Sequence, residues 1–107
     1  MAASGVDDAV FTALADATRR RLLALVGERP GATATELAAE VGISRQAVQK
    51  HLAGLAAAGL VASERSGREV HYRITPAPLS EAMAWMATVG AQWDDRLAAL
   101  ERQLGRT

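Results

Sequence analysis

The sequence predicts a mainly helical domain, about five helices with one small β-hairpin, and three observations carry that prediction. A T-x-x-E string at Thr33–Glu36 and a serine at Ser44 open two short amphipathic stretches separated by Gly42. The hydrophobic period changes to two over Glu69–Ile74, EVHYRI. The last quarter of the chain carries apolar residues at near-heptad steps.

Size and composition bound what such a domain can be. A chain of 107 residues suits one domain, 1–107. Half of it is apolar, yet it holds one Phe, one Tyr and two Trp. A core of Leu, Val and Ala is thin, and small thin-cored domains often gain stability by pairing with a second copy. The chain has no cysteine, which excludes disulfides and thiolate metal sites. No apolar run approaches the ~20 residues needed to span a bilayer. The start, MAASGVDDAV, lacks the basic and apolar regions of a signal peptide, so a cytoplasmic protein is expected.

The first helix is expected where Asp7 and Asp8 precede Val10, Phe11 and Leu14, because carboxylates suit the positive end of a helix dipole. Residues 1–5 are expected to be disordered. Asp16 can cap a second helix running to about Glu28, with Leu22, Leu25 and Val26 inward. Pro30 and Gly31 then oppose helix continuation. Thr33 and Glu36 form a capping box for a third helix, whose apolar stripe is Leu37, Ala38 and Val41. Gly42 stops it and Ile43 plugs the turn. Ser44 caps a fourth helix, which buries Ala47, Val48, Leu52 and Leu55 and ends at Gly59. Arg45, Gln46, Gln49 and Lys50 fall on its other face, near its start. Two helices joined by a tight turn, the second with a polar start, make a helix-turn-helix.

Strand follows helix. Leu60–Arg65 reads as a short strand, Ser66–Arg68 as a turn, and Glu69–Ile74 as a strand with Val70, Tyr72 and Ile74 on its dry face. The hairpin is placed as a wing. A long helix from about Pro78 to Leu104 closes the chain. Its stripe of Leu79, Ala82, Met86, Val89, Trp93, Leu97, Leu100 and Leu104 is longer than a monomer of this size needs. With Phe11 of the first helix, Leu79, Met86, Trp93, Leu97, Leu100 and Leu104 form the expected homodimer surface.

Charge locates a second surface. Between Ser44 and Arg73 five basic residues stand against two acidic ones, a net of +3, on a chain that is neutral overall. A local basic side on a neutral protein suits double-stranded DNA. The polar start of the fourth helix fits the major groove. Gln46 and Gln49 are the candidate base readers, since an amide can bond bidentately to adenine. Arg45 suits guanine or phosphate, Lys50 phosphate, and Ser44 both the helix cap and a phosphate. Arg65, Arg68 and Arg73 are the wing's candidates, with Arg68 at the tip suited to a minor groove or the backbone. The competing reading of the wing arginines is cross-strand pairing with Glu64 or Glu69. The triple Arg19–Arg21 is expected to include a solvated charge and an ion pair, with a phosphate role the lesser alternative. His51 is expected to pack and hydrogen-bond within the fold, and His71 to be exposed. Two histidines without close spacing do not suggest a metal site, and no cofactor is expected. Trp85 and Trp93 read as interface packing.

The strings Phe11-Thr-Ala-Leu-Ala-Asp-Ala-Thr-Arg-Arg-Arg-Leu-Leu, Glu36-Leu-Ala, Gly42-Ile-Ser, Val48-x-x-His-Leu, Gly59-Leu-Val and Gly67-Arg-x-Val-x-Tyr-Arg-Ile resemble, in order and spacing, the ArsR/SmtB-type winged-helix repressors of bacteria. The likeness runs from about Val10 to Leu104. The family pattern usually has Pro where Ala17 stands. Relatives that sense metal through the last helix use histidines there, where this chain has Asp94, Asp95 and Glu101 and no histidine. The closing Trp93-x-x-Arg-Leu-x-x-Leu resembles the subgroup without a metal site. The resemblance implies a homodimer that binds a palindromic operator and blocks transcription. Two other classes stay open: a metal- or metabolite-responsive repressor with its effector site at the dimer interface, and a protein-interaction module using the last helix. An enzyme is not expected, because the chain has no glycine-rich phosphate loop, nucleophile–base spacing or convincing carboxylate pair.

Overall fold

The computed structural model describes residues 8–105. Asp7, expected at the start of the first helix, and residues 1–5, expected to be disordered, lie outside that range. The described residues form five helices and one three-stranded sheet. In chain order they are α1 (Asp8–Leu14), α2 (Ala17–Glu28), β1 (Ala32–Thr33), α3 (Ala34–Val41), α4 (Arg45–Ala57), β2 (Val61–Ser66), β3 (Glu69–Ile74) and α5 (Pro76–Gln103).

The helix starts follow the caps. Asp16 Oδ1 accepts from the Arg19 amide at 3.0 Å and opens α2. Glu36 closes the box at α3, accepting from Thr33 N at 2.8 Å, while Thr33 Oγ1 accepts from Glu36 N at 3.2 Å. Ser44 Oγ accepts from Ala47 N at 3.0 Å and opens α4. Each cap satisfies a donor that the first helical turn leaves without an internal partner. Between α3 and α4, Gly42 sits at φ 80, a left-handed conformation that strains residues carrying a Cβ.

The core lies where α2, α3 and α4 converge on the sheet. Leu22, Val26, Leu37, Val48, Leu52, Leu55 and Leu60 are wholly enclosed, and Leu23 nearly so. Leu25, Ala38, Val41 and Ile43 are half-buried against it. Leu23 was not among the residues expected inward. Two consecutive leucines on a short helix can both be covered when α2 is packed by α3, α4 and β3.

The sheet corrects the expected two-stranded hairpin. Its order is β1-β3-β2, so β3 is central and both pairings are antiparallel. β1 pairs Ala32 with Tyr72 and Thr33 with His71. A two-residue strand shows no hydrophobic period, so only the partner reveals it. Along β2–β3, Glu64 faces His71 and Ser66 faces Glu69, leaving Gly67 and Arg68 as a two-residue loop. Gly67 adopts φ 63, as tight hairpin loops require, and Arg68 stands at the tip.

α5 begins at Pro76, two residues before the expected Pro78. Both prolines fall in the first turn, where helical amides have no internal acceptor to lose. The helix leaves the body almost at once. Ala82 is buried and Leu79 half-buried against the core, but Met86, Val89, Trp93, Leu97, Leu100 and Leu104 are exposed. The radius of gyration is 18.4 Å, against about 13 Å for a compact chain of this length.

Candidate nucleic-acid interface

The start of α4 is exposed along one side and anchored on the other. Val48, Leu52 and Leu55 fix the helix to the core, and Ser44, Arg45, Gln46, Gln49 and Lys50 are all exposed. The wing rises beside this surface. Between the starts of α3 and α4 and the wing runs an open cleft of ≈ 410 Å³. Arg45 and Gln49 line it from α4, Arg68, Glu69, Val70, His71 and Tyr72 from the wing, and Thr33, Ala34, Thr35 and Glu36 from α3 and its cap.

The structure therefore brings three of the expected contact residues, Arg45, Gln49 and Arg68, to one cleft. Gln46 and Lys50 share α4 with Arg45 and Gln49, and Ser44 caps that helix, but none of the three lines the cleft. Arg65 is exposed on β2, with Nε 3.4 Å from the Gly67 carbonyl. Arg73 is exposed at the root of the wing, opposite Ala62 and near Gly31, away from the tip. Among the described residues no carboxylate pairs with Arg45, Lys50, Arg65, Arg68 or Arg73. Among the described residues neither Glu64 nor Glu69 forms the alternative cross-strand ion pair with these arginines. Unpaired arginines leave their donors free for phosphate or base edges.

The two glutamates of the cleft are both engaged. Glu36 is held below the ordinary carboxylate range by the Thr33 amide and then the Thr33 hydroxyl, with smaller help from His71 and Arg29. Glu69 Oε1 lies 3.3 Å from His71 Nε2. The other ring nitrogen of His71, Nδ1, lies 2.7 Å from the Gly31 carbonyl oxygen. His71 is thus half-buried, with a side chain 29% exposed, and not free in solvent as expected. Its partner Gly31 is forty residues away in sequence, so no local pattern could have marked it.

The arginine run on α2 is structural where the structure fixes it. Arg20 Nη1 donates to the Leu14 carbonyl at 2.6 Å and ties α2 to the end of α1. Arg19 lies against Gly54 of α4, with its Nε enclosed and without a hydrogen-bond partner. Neither forms the expected ion pair; a main-chain carbonyl and a helix surface take those places. His51 is half-buried on α4, but its enclosed Nδ1 lacks the hydrogen bond expected for it. Asp16 is held low by the Arg19 amide first, with His51 and the Arg19 charge contributing less. Phe11 packs edge-on to Trp85, with ring centroids 5.7 Å apart and planes at 64°. Among the described residues no group of three or more His, Cys, Asp or Glu could hold a metal ion, and no helix is long and apolar enough to cross a membrane.

Known proteins resemble this chain in sequence and fold. Residues 14–64 match the family model described as a helix-turn-helix domain. The arsenical resistance operon repressor of Escherichia coli is 30% identical over 101 residues, covering 91% of this chain and 83% of that protein. The solved structure of an ArsR-like transcriptional regulator from Rhodococcus sp. RHA1 is 42% identical, with a TM-score of 0.76 over 94% of this chain and 92% of that one. The homodimeric winged helix-turn-helix DNA-binding domain from Mycobacterium bovis, solved in solution, is 25% identical, with a TM-score of 0.64 over 79% of this chain and 78% of that one.

Proposed function

The chain belongs to the ArsR family of winged helix-turn-helix, DNA-binding transcriptional regulators, which are not enzymes, and from that premise we propose that it is a homodimeric repressor acting by occupying a palindromic operator. The observation that carries this reading is the cleft in which Arg45 and Gln49 of α4 face Arg68 of the wing, with neither arginine ion-paired among the described residues. Gln49, with Gln46 beside it on α4, offers amides to adenine edges. Arg45 and Arg68 offer guanidinium groups to guanine or phosphate. Ser44, Lys50, Arg65 and Arg73 add backbone contacts that set register without reading sequence.

Pairing supplies the second half-site. The row Met86, Val89, Trp93, Leu97, Leu100 and Leu104 is exposed along α5, and the same row on a second copy is the surface of matching step and polarity. The homodimeric state of the M. bovis domain supports that occupant. Phe11 and Leu79, also expected at the interface, are partly spent within the chain, Phe11 on Trp85 and Leu79 on the core. They would meet the partner only with the faces left open. Two copies of α4 related by a two-fold axis would enter successive major grooves, ~34 Å apart. A dimer so seated denies the promoter to polymerase.

Selection of duplexes from a random pool tests the reading. The purified chain should enrich an inverted repeat whose half-sites are about one helical turn apart. Enrichment of no sequence would overturn it.

A further inference from the structure

The cleft at the DNA face holds two arginines, Arg45 and Arg68, and two carboxylates, Glu36 and Glu69. With a neutral imidazole between them the lining is balanced, a poor surface for a polyanion. His71 can change that balance, and its neighbours decide which form it takes. The Gly31 carbonyl can only accept, so Nδ1 at 2.7 Å carries a proton. An ionised Glu69 carboxylate can also only accept, so Nε2 at 3.3 Å has a matched partner only when it too carries a proton. Neutral His71 turns a lone pair toward that carboxylate. Of the other charged groups around the ring, the carboxylates favour a second proton, and the arginines, Arg45 and Arg68 of the same cleft among them, oppose it. Glu64 faces it across β2–β3 and Glu36 lies on α3. Arg73, two residues along β3, lies near Gly31, and Arg29 is engaged with Glu40.

We propose that His71 is a positioning residue of the DNA face, whose imidazolium ties the wing root to the Gly31 loop and offsets the carboxylate that would repel phosphate. The proposal rests on the DNA reading of the cleft. Protonation takes the lining from zero to one net positive charge per protomer and occupies Glu69, the carboxylate next in sequence to Arg68. Operator affinity then rises as pH falls from 8 to 6. This is a property that a purely structural histidine would not confer.

The test uses a duplex selected from a random pool with the wild-type protein, titrated from pH 8 to pH 6 at fixed salt. Wild type should bind roughly tenfold more tightly at pH 6 than at pH 8, with a steeper salt dependence. His71→Gln keeps an N–H donor for the Gly31 carbonyl but cannot be charged, and its affinity should be flat across that range while its melting temperature stays close to wild type. Glu69→Gln should bind more tightly than wild type at pH 8 and show a smaller pH step. A pH step retained in His71→Gln, or a flat wild-type profile on a duplex that is bound well, would overturn the role of His71 alone. Failure to select any duplex would overturn the DNA reading, and this role with it.

Discussion

Gln49 and Arg68 border the same cleft and are expected to fail differently when truncated. An amide that reads a base edge contributes on the matching sequence only. Gln49→Ala should therefore weaken binding to the selected duplex by about tenfold or more per half-site while sparing a scrambled one. Equal losses on both duplexes in gel-shift titrations would remove Gln49 from base reading. A guanidinium at a hairpin tip that grips phosphate contributes on any sequence. Arg68→Ala should weaken both duplexes and reduce the salt slope by roughly one per protomer. An unchanged slope would take Arg68 out of the contact set. Glu36 makes a prediction about stability. Its folded carboxyl titrates below the ordinary range, as does that of Asp16. Such groups supply stability that is present above the unfolded value and lost as pH falls through the folded one. Glu36→Gln, which can still close the capping box, should lose less stability than wild type between pH 6 and pH 3. Parallel losses in urea titrations would deny the carboxylate that role.

Elements were legible in the sequence where a local physical rule acts alone. Asp16, Thr33 and Ser44 mark helix starts because the cap and its amide lie three residues apart. Gly42 marks the turn because its conformation disfavours every other residue. Gly42→Ala leaves open space around the new methyl, so its cost is conformational, about 1–2 kcal/mol. A denaturation midpoint unchanged by the substitution would contradict the left-handed geometry of that turn. β3 was legible from its period, and Arg45, Gln49 and Arg68 could be placed near one another once α4 and the hairpin were located. What could not be read depends on pairing across the chain. β1 is a strand only because β3 lies beside it. His71 was assigned to a solvated face by alternation, yet a carbonyl from a distant loop half-buries it. The ion pair expected of the α2 arginines, and the cross-strand pairing that is the alternative for the wing arginines, are missing for the same reason: charge order along the chain does not give rotamers or competing acceptors.

At the scale of the whole molecule, the proposed dimer gives α5 control over how many recognition surfaces act together. A single chain leaves Trp93 57% and Leu104 64% exposed on a helix that projects from the body. Apolar rows of this length are costly to hydrate and are covered by association. Leu97→Glu places a charge in the middle of the row. It should shift the protein toward monomer in sedimentation and lower affinity for a two-half-site duplex by about a hundredfold, while leaving the weak binding of one half-site nearly intact. A variant that stays dimeric would move the interface off this face. The most direct measurement of the central claim is hydroxyl-radical footprinting of the wild-type protein on its selected duplex. Two protected patches are expected, symmetric about a dyad and about one helical turn apart. One patch without a symmetric mate, or protection that moves freely along the duplex, would contradict a dimer that presents two copies of α4 to fixed base pairs.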